Sequence, residues 1–147
     1  MSDSQVQAPQ IGTETGRMEL VINDSDVDDY LRAMDMDASL YPRDSPGRRI
    51  APPELAPKLA MMTLIQDYCL RVIGNNIRAK QAFVCLKPVY VGTRIQAVGK
   101  LVDAYERRGK QFVTFEAVFT DEAGKQLVID RRTQLVTGAN FKLEKRT

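Results

Sequence analysis

Histidine is absent from this 147-residue chain. That removes the one side chain that exchanges a proton near neutral pH without help. Every Ser/His/Asp triad, and every proton shuttle or metal set that depends on imidazole, is excluded with it. Cysteine is nearly absent too. Cys69 and Cys85 lie inside apolar segments, where they read as small core residues rather than a disulfide framework, so nothing calls for an oxidising compartment. No apolar run reaches membrane-spanning length, and the start MSDSQVQAPQ lacks an apolar signal core. The expectation is a soluble cytoplasmic protein. The net charge of +2 is too mild for a nucleic-acid surface, which needs clustered basic residues. No metal-ligand cluster, phosphate-cradling glycine loop or internal repeat is visible, so neither a metal nor a cofactor is expected.

What is present suits one globular domain: 44% hydrophobic and 27% charged residues. Residues 1–16 are too poor in large apolar side chains to offset their ordering entropy and read as a mobile tail. A short strand is expected over 17–22. Asp24 and Ser25 offer helix caps, and Val27, Tyr30, Leu31 and Met34 follow at i, i+3, i+4, i+7, which is one apolar helical face. Residues 35–56 carry four prolines and no period, an uncommonly long loop for a compact domain and hence a functional candidate. Pro57 suits the first turn of a helix running to Ile73. Apolar residues, among them Leu59, Met62, Leu64 and Leu70, surround most of its circumference, so other structure is expected to wrap it. Gly74-Asn75-Asn76 ends it. Alternating segments then run to Val136. The first, around Phe83 to Val89, is apolar on both faces and reads as a central strand. Asp130, Arg131 and Arg132 put unusual charge in the middle of the last one. Residues 139–147 form a basic tail.

Two stretches carry a resemblance. Phe83–Gly92, FVCLKPVYVG, followed by three strands, resembles the second half of MaoC-like hydratases and dehydratases. Tyr30–Pro57 is similar to the first half, with Asp37-Ala38-Ser39-Leu40-Tyr41 where relatives carry an Asn-Pro-Leu-Tyr run, and Ile50-Ala51-Pro52-Pro53 entering the central helix. The resemblance implies an α+β hotdog domain over residues 17–138, a five-stranded antiparallel sheet wrapped round one long central helix. Val91-Gly92 would then be a crossing connection rather than a tight hairpin. It also implies an acyl-thioester site, coenzyme A or carrier-linked, between two paired units, the partner being a second copy or another hotdog chain. The implied reaction is a hydratase/dehydratase reaction on an enoyl or 3-hydroxyacyl thioester. Active relatives carry Asp-x-Asn-Pro-x-His after the small helix. Here the histidine position is Tyr41, the aspartate position is Met36, and no shift of alignment supplies a histidine. A non-catalytic subunit, or a hotdog cyclase, isomerase or thioesterase, is therefore the alternative.

The candidate catalytic groups are Asp35 or Asp37 as base, Tyr41 as acid, and Glu54 before the helix whose free N–H groups would polarise a thioester carbonyl. Asp67 has the spacing of a central-helix carboxylate. Arg43, Arg48 and Arg49 form a basic cluster suited to coenzyme A phosphates, with Pro52 and Pro53 lining the approach. Each has a structural counter-reading: solvated turn residues for the aspartates, packing for Tyr41, favourable helix-start charge for Glu54, plain solvation for the arginines.

Overall fold

The computed structural model describes residues 9–44 and 46–139. Its elements are β1 (Glu14–Val21), α1 (Asp24–Ala33), a 3₁₀ turn (Ala38–Leu40), β2 (Ile50–Ala51), α2 (residues 55–73), β3 (Gly74–Cys85), β4 (Val89–Tyr90), β5 (Arg94–Arg107), β6 (Lys110–Thr120) and β7 (Gln126–Ala139). Five strands form one antiparallel sheet in the order β1-β5-β6-β7-β3, while β2 and β4 pair separately.

Local chemistry sets the meander β5-β6-β7. Arg107 pairs with Lys110 across Arg108-Gly109, whose φ angles of 53° and 74° give the mirror-image turn that matches strand twist. At the next corner Asp121 Oδ1 accepts the N–H groups of Ala123 and Lys125, both at 2.9 Å. From β3 at one sheet edge the chain must cross to β5, next to the far edge. Gly92 donates to the Ile22 carbonyl at 2.9 Å on the way, so Val91-Gly92 is the crossing connection.

The alternation of β5 and β6 buries Ile95, Ala97, Leu101, Val113, Phe115, Ala117 and Phe119 against Leu64 and Ile73 of α2 and Ile22 and Val27 around α1. Each large side chain so buried contributes about 1.5–3 kcal/mol. The helix lies directly on the strands because two facing positions lack side chains. A Cβ on Gly99 would stand 2.6 Å from the Leu64 carbonyl oxygen, and one on Gly16 would stand 2.7 Å from Leu64 Cα and collide with the Thr63 carbonyl. At this contact α2 widens into π-helix, Met62–Gln66, and again at Cys69–Ile73. Widening breaks the regular carbonyl ladder, and Thr15 Oγ1 donates to the Leu64 carbonyl at 2.5 Å.

Four sequence expectations need correction. Strand β1 begins at Glu14, inside the segment read as tail, because Gly12 and Thr13 already exchange backbone hydrogen bonds with Leu101. Asn23, not Asp24, caps α1, its N–H held by Asp26 Oδ2 at 2.8 Å. The strand read as central, β3, is an edge strand among the described residues, largely exposed, with β7 as its one sheet neighbour there. Helix α2 starts at Leu55 and is wrapped on one side only: Leu59, Met62 and Leu70 remain 44, 54 and 59% exposed. The expected tail segments 1–8 and 140–147 lie outside the described residues.

Candidate functional site

The long loop 35–54 is knitted onto α1 by charge. Asp24 and Asp28, one helical turn apart, both face Arg49, whose guanidinium donates to Asp24 Oδ1 at 3.0 Å, Asp28 Oδ1 at 2.9 Å and the Tyr41 carbonyl at 2.9 Å. Arg43 reaches Asp28 Oδ2 at 3.2 Å. Arg49 is buried, and its donors are spent inside the protein, so it does not present itself to a phosphate arriving from solvent. Hydrogen bonding to Arg49 holds the Asp28 carboxyl below the usual range.

The predicted acid-base residues are placed unevenly. Asp35 sits exposed at φ 50° just beyond α1. Asp37 caps the 3₁₀ turn, accepting the Ser39 N–H at 2.9 Å, and that hydrogen bond lowers its pKa, which weakens it as a base. Tyr41 is half-buried against the core. Asp67 is exposed on α2. Pro52 is buried and Pro53 half-buried, and the Pro52 carbonyl accepts the Leu55 N–H at 3.0 Å, so the pair builds the helix entry.

Glu54 has a partner that sequence reasoning missed. The Tyr30 hydroxyl, buried on α1, donates to Glu54 Oε1. Burial, then this hydrogen bond, pushes the Tyr30 phenol up to about 12. Lys58 Nζ lies 5.1 Å from the Tyr30 ring centre, a cation–π contact. Cys85 at the end of β3 feels the same carboxylate: burial first, then the Glu54 charge, raise its thiol pKa. Leu55 donates to Pro52, Lys58 donates to Glu54, and Pro57 has no N–H; Ala56 is the first-turn residue whose N–H meets no backbone acceptor among the described residues. The helix start thus gathers a tyrosine, a carboxylate and a backbone donor. The helical period of α1 placed Tyr30 on the inward face, but only the folded chain brings it to Glu54.

Arg48 stands apart from Arg49. It lies at a recess of about 350 Å³ shared with Lys87, Tyr90, Thr93 and Asp121, its guanidinium 6.0 Å from the Tyr90 ring centre. A larger cavity, about 690 Å³, opens between α2 and the ends of β3 and β7.

The model of a family described as the FAS1-like dehydratase domain region matches residues 9–130. The chain belongs to that family. It is a MaoC-like hotdog protein, and three solved structures display the same fold. In a C-terminally truncated HadBC complex, a 3R-hydroxyacyl-ACP dehydratase from Mycobacterium tuberculosis, the similarity is 19% identity at TM-score 0.69, covering 85% of this chain and 99% of that one. For the (R)-hydratase of A. caviae involved in PHA biosynthesis the values are 17%, 0.68, 89% and 99%. For the ChsH1–ChsH2 complex of M. tuberculosis they are 11%, 0.70, 86% and 85%. No curated protein sequence matches this hotdog chain.

Proposed function

We propose that this chain is one half of a paired hotdog handling an acyl thioester in a hydratase or dehydratase reaction, with the proton-transferring pair brought by the partner half. One observation carries the reading: the apolar stripe Leu59, Met62 and Leu70 of α2 stands bare, and β3 leaves its outer edge unpaired among the described residues. An exposed apolar helix face and an unpaired strand edge are features that a partner covers in a stable protein. The loop beside it supports the division of labour. Asp37 is spent on a turn, Tyr30 and Asp37 are shifted away from neutrality in opposite directions, and the chain has no histidine. Two similar structures, HadBC and ChsH1–ChsH2, are themselves complexes.

In this reading the chain contributes binding. The start of α2 receives the thioester carbonyl, where the positive end of the helix dipole stabilises developing negative charge. Arg48 and Lys87, with Tyr90 beneath, receive the phosphates or base of a coenzyme A carrier.

The test is turnover of 2-enoyl and 3-hydroxyacyl thioesters by the chain alone and mixed with a hotdog protein encoded beside it that carries an intact Asp/His pair. Activity is expected only in the mixture, together with a heteromeric species by sedimentation. A self-associated chain that turns over these thioesters at the rate of the mixture overturns the reading. Asp37→Asn and Tyr41→Phe then identify the acid and base within it.

A further inference from the structure

The 690 Å³ cavity is polar where a plain hydrocarbon tail would want grease. Met61, Ile65, Cys69 and Leu70 of α2 form one wall, but β3 and β7 contribute Asn76, Arg78, Arg132, Gln134 and Thr137. Arg132 is 4% exposed. Its Nε and Nη2 hold Asp130 Oδ2 at 2.9 and 2.8 Å, and Asp130 Oδ1 accepts from Gln81 at 3.0 Å. The carboxylate is therefore satisfied. The guanidinium is not: its Nη1 is turned to the thioether of Met61, a weak acceptor. Two residues along the same strand face, Gln134 donates to Asn76 Oδ1 at 2.9 Å, while its own carbonyl oxygen is buried without a donor among the described residues. A buried charged donor lacking an oxygen acceptor, beside a buried amide oxygen lacking a donor, costs stability unless something fills both.

We infer that this cavity is a subsite for an oxygen-bearing acyl group, one that places a hydroxyl, keto or carboxylate oxygen against Arg132 and Gln134, rather than for a saturated chain. The inference rests on the acyl-thioester reading above and narrows its substrate class. A hydroxyl suits both groups, accepting from Arg132 Nη1 and donating to Gln134 Oε1. A carboxylate suits Arg132 with Arg78, whose guanidinium also borders the cavity. Hydrocarbon satisfies neither.

The experiment is calorimetric binding of coenzyme A thioesters of equal length, one saturated, one ω-hydroxylated and one ending in a carboxylate. It uses the full chain, alone and with its hotdog partner. Oxygenated thioesters are expected to bind about tenfold or more tighter than the saturated one, the scale of one hydrogen bond to a charged group. Removing Arg132 alone would strand Asp130, so the pair is replaced together, Asp130→Leu with Arg132→Met, and Gln134→Leu serves as a milder second variant. Both are expected to erase the preference and leave saturated-chain binding within about twofold. The relative affinity of the hydroxyl and carboxylate probes identifies which oxygen group is native. Equal or tighter binding of the saturated chain overturns this inference and leaves the acyl-thioester reading intact. Binding of none of the three by either form sinks both. A partner side chain found seated on Arg132 in the assembled complex overturns the subsite.

Discussion

At the residue scale, protonation reports on two contacts that hold the site together. Tyr30 titrates near 10 in an unfolded chain and about 12 here. The folded form therefore prefers the proton, and that contribution is complete below pH 10 and lost as pH climbs toward 12. Chemical denaturation across that window should show a fall in stability for the wild type that Tyr30→Phe lacks; identical profiles would remove the buried hydrogen bond to Glu54 from the account. Asp28 behaves with the opposite sense. Its lowered pKa means a contribution present above its ordinary value of 3.8 and lost as pH falls through and below it. Acid titration followed by circular dichroism should find Asp28→Asn less stable at neutral pH but flatter below pH 4. Arg49, caught between Asp24 and Asp28, is the clamp that the Asp28 measurement probes.

At the element scale, the contact between α2 and the sheet leaves no room for added side chains. Gly16 and Gly99 face the backbone at Thr63 and Leu64, and backbone cannot turn aside as a side chain can. Gly99→Ala is expected to cost about 2–3 kcal/mol by overpacking, more than an alanine ordinarily does in a strand. Thr15→Val keeps the shape but leaves the Leu64 carbonyl without its donor, for a loss of about 1–3 kcal/mol. Urea midpoints measure both, and a Gly99→Ala protein with unchanged midpoint would mean that the helix does not sit where the structure puts it. The π-helical stretches belong to the same contact, since the widened turn at Met62–Gln66 is where helix and strands come closest.

At the scale of the whole molecule, the outer side of α2 is unfinished. Leu59, Met62 and Leu70 lie exposed along α2, and a partner hotdog is the occupant that the proposed function requires. Met62→Glu with Leu70→Lys should reduce association by at least about tenfold, as several buried apolar contacts are replaced by charge, while thermal unfolding of the separated chain stays within a few degrees. Analytical ultracentrifugation reads the first and circular dichroism the second. Unchanged association would move the interface elsewhere.

Much of this architecture was legible along the chain. Period-two alternation in β5 and β6, the inward stripe of α1 and the Arg108-Gly109 and Asp121–Lys125 corners are short-range patterns, and short-range patterns are what a linear sequence displays; the crossing at Val91-Gly92 came from the family resemblance alone. The charged middle of β7 announced a need for partners, which Asp130 met for Arg132 and Glu116 for Arg131. Other features depended on residues far apart in the chain. Apolar faces on β3 look the same whether a strand of this chain or another molecule covers them, so its edge position was invisible. Tyr30 and Glu54 are 24 residues apart, and Arg49 lies 21 beyond Asp28; neither spacing is a local period. The residues by themselves determined which segments curl and which extend, and that no imidazole chemistry is possible. Tertiary structure alone decided which polar groups meet, because burial converts distant side chains into obligatory partners only after the chain has closed around them.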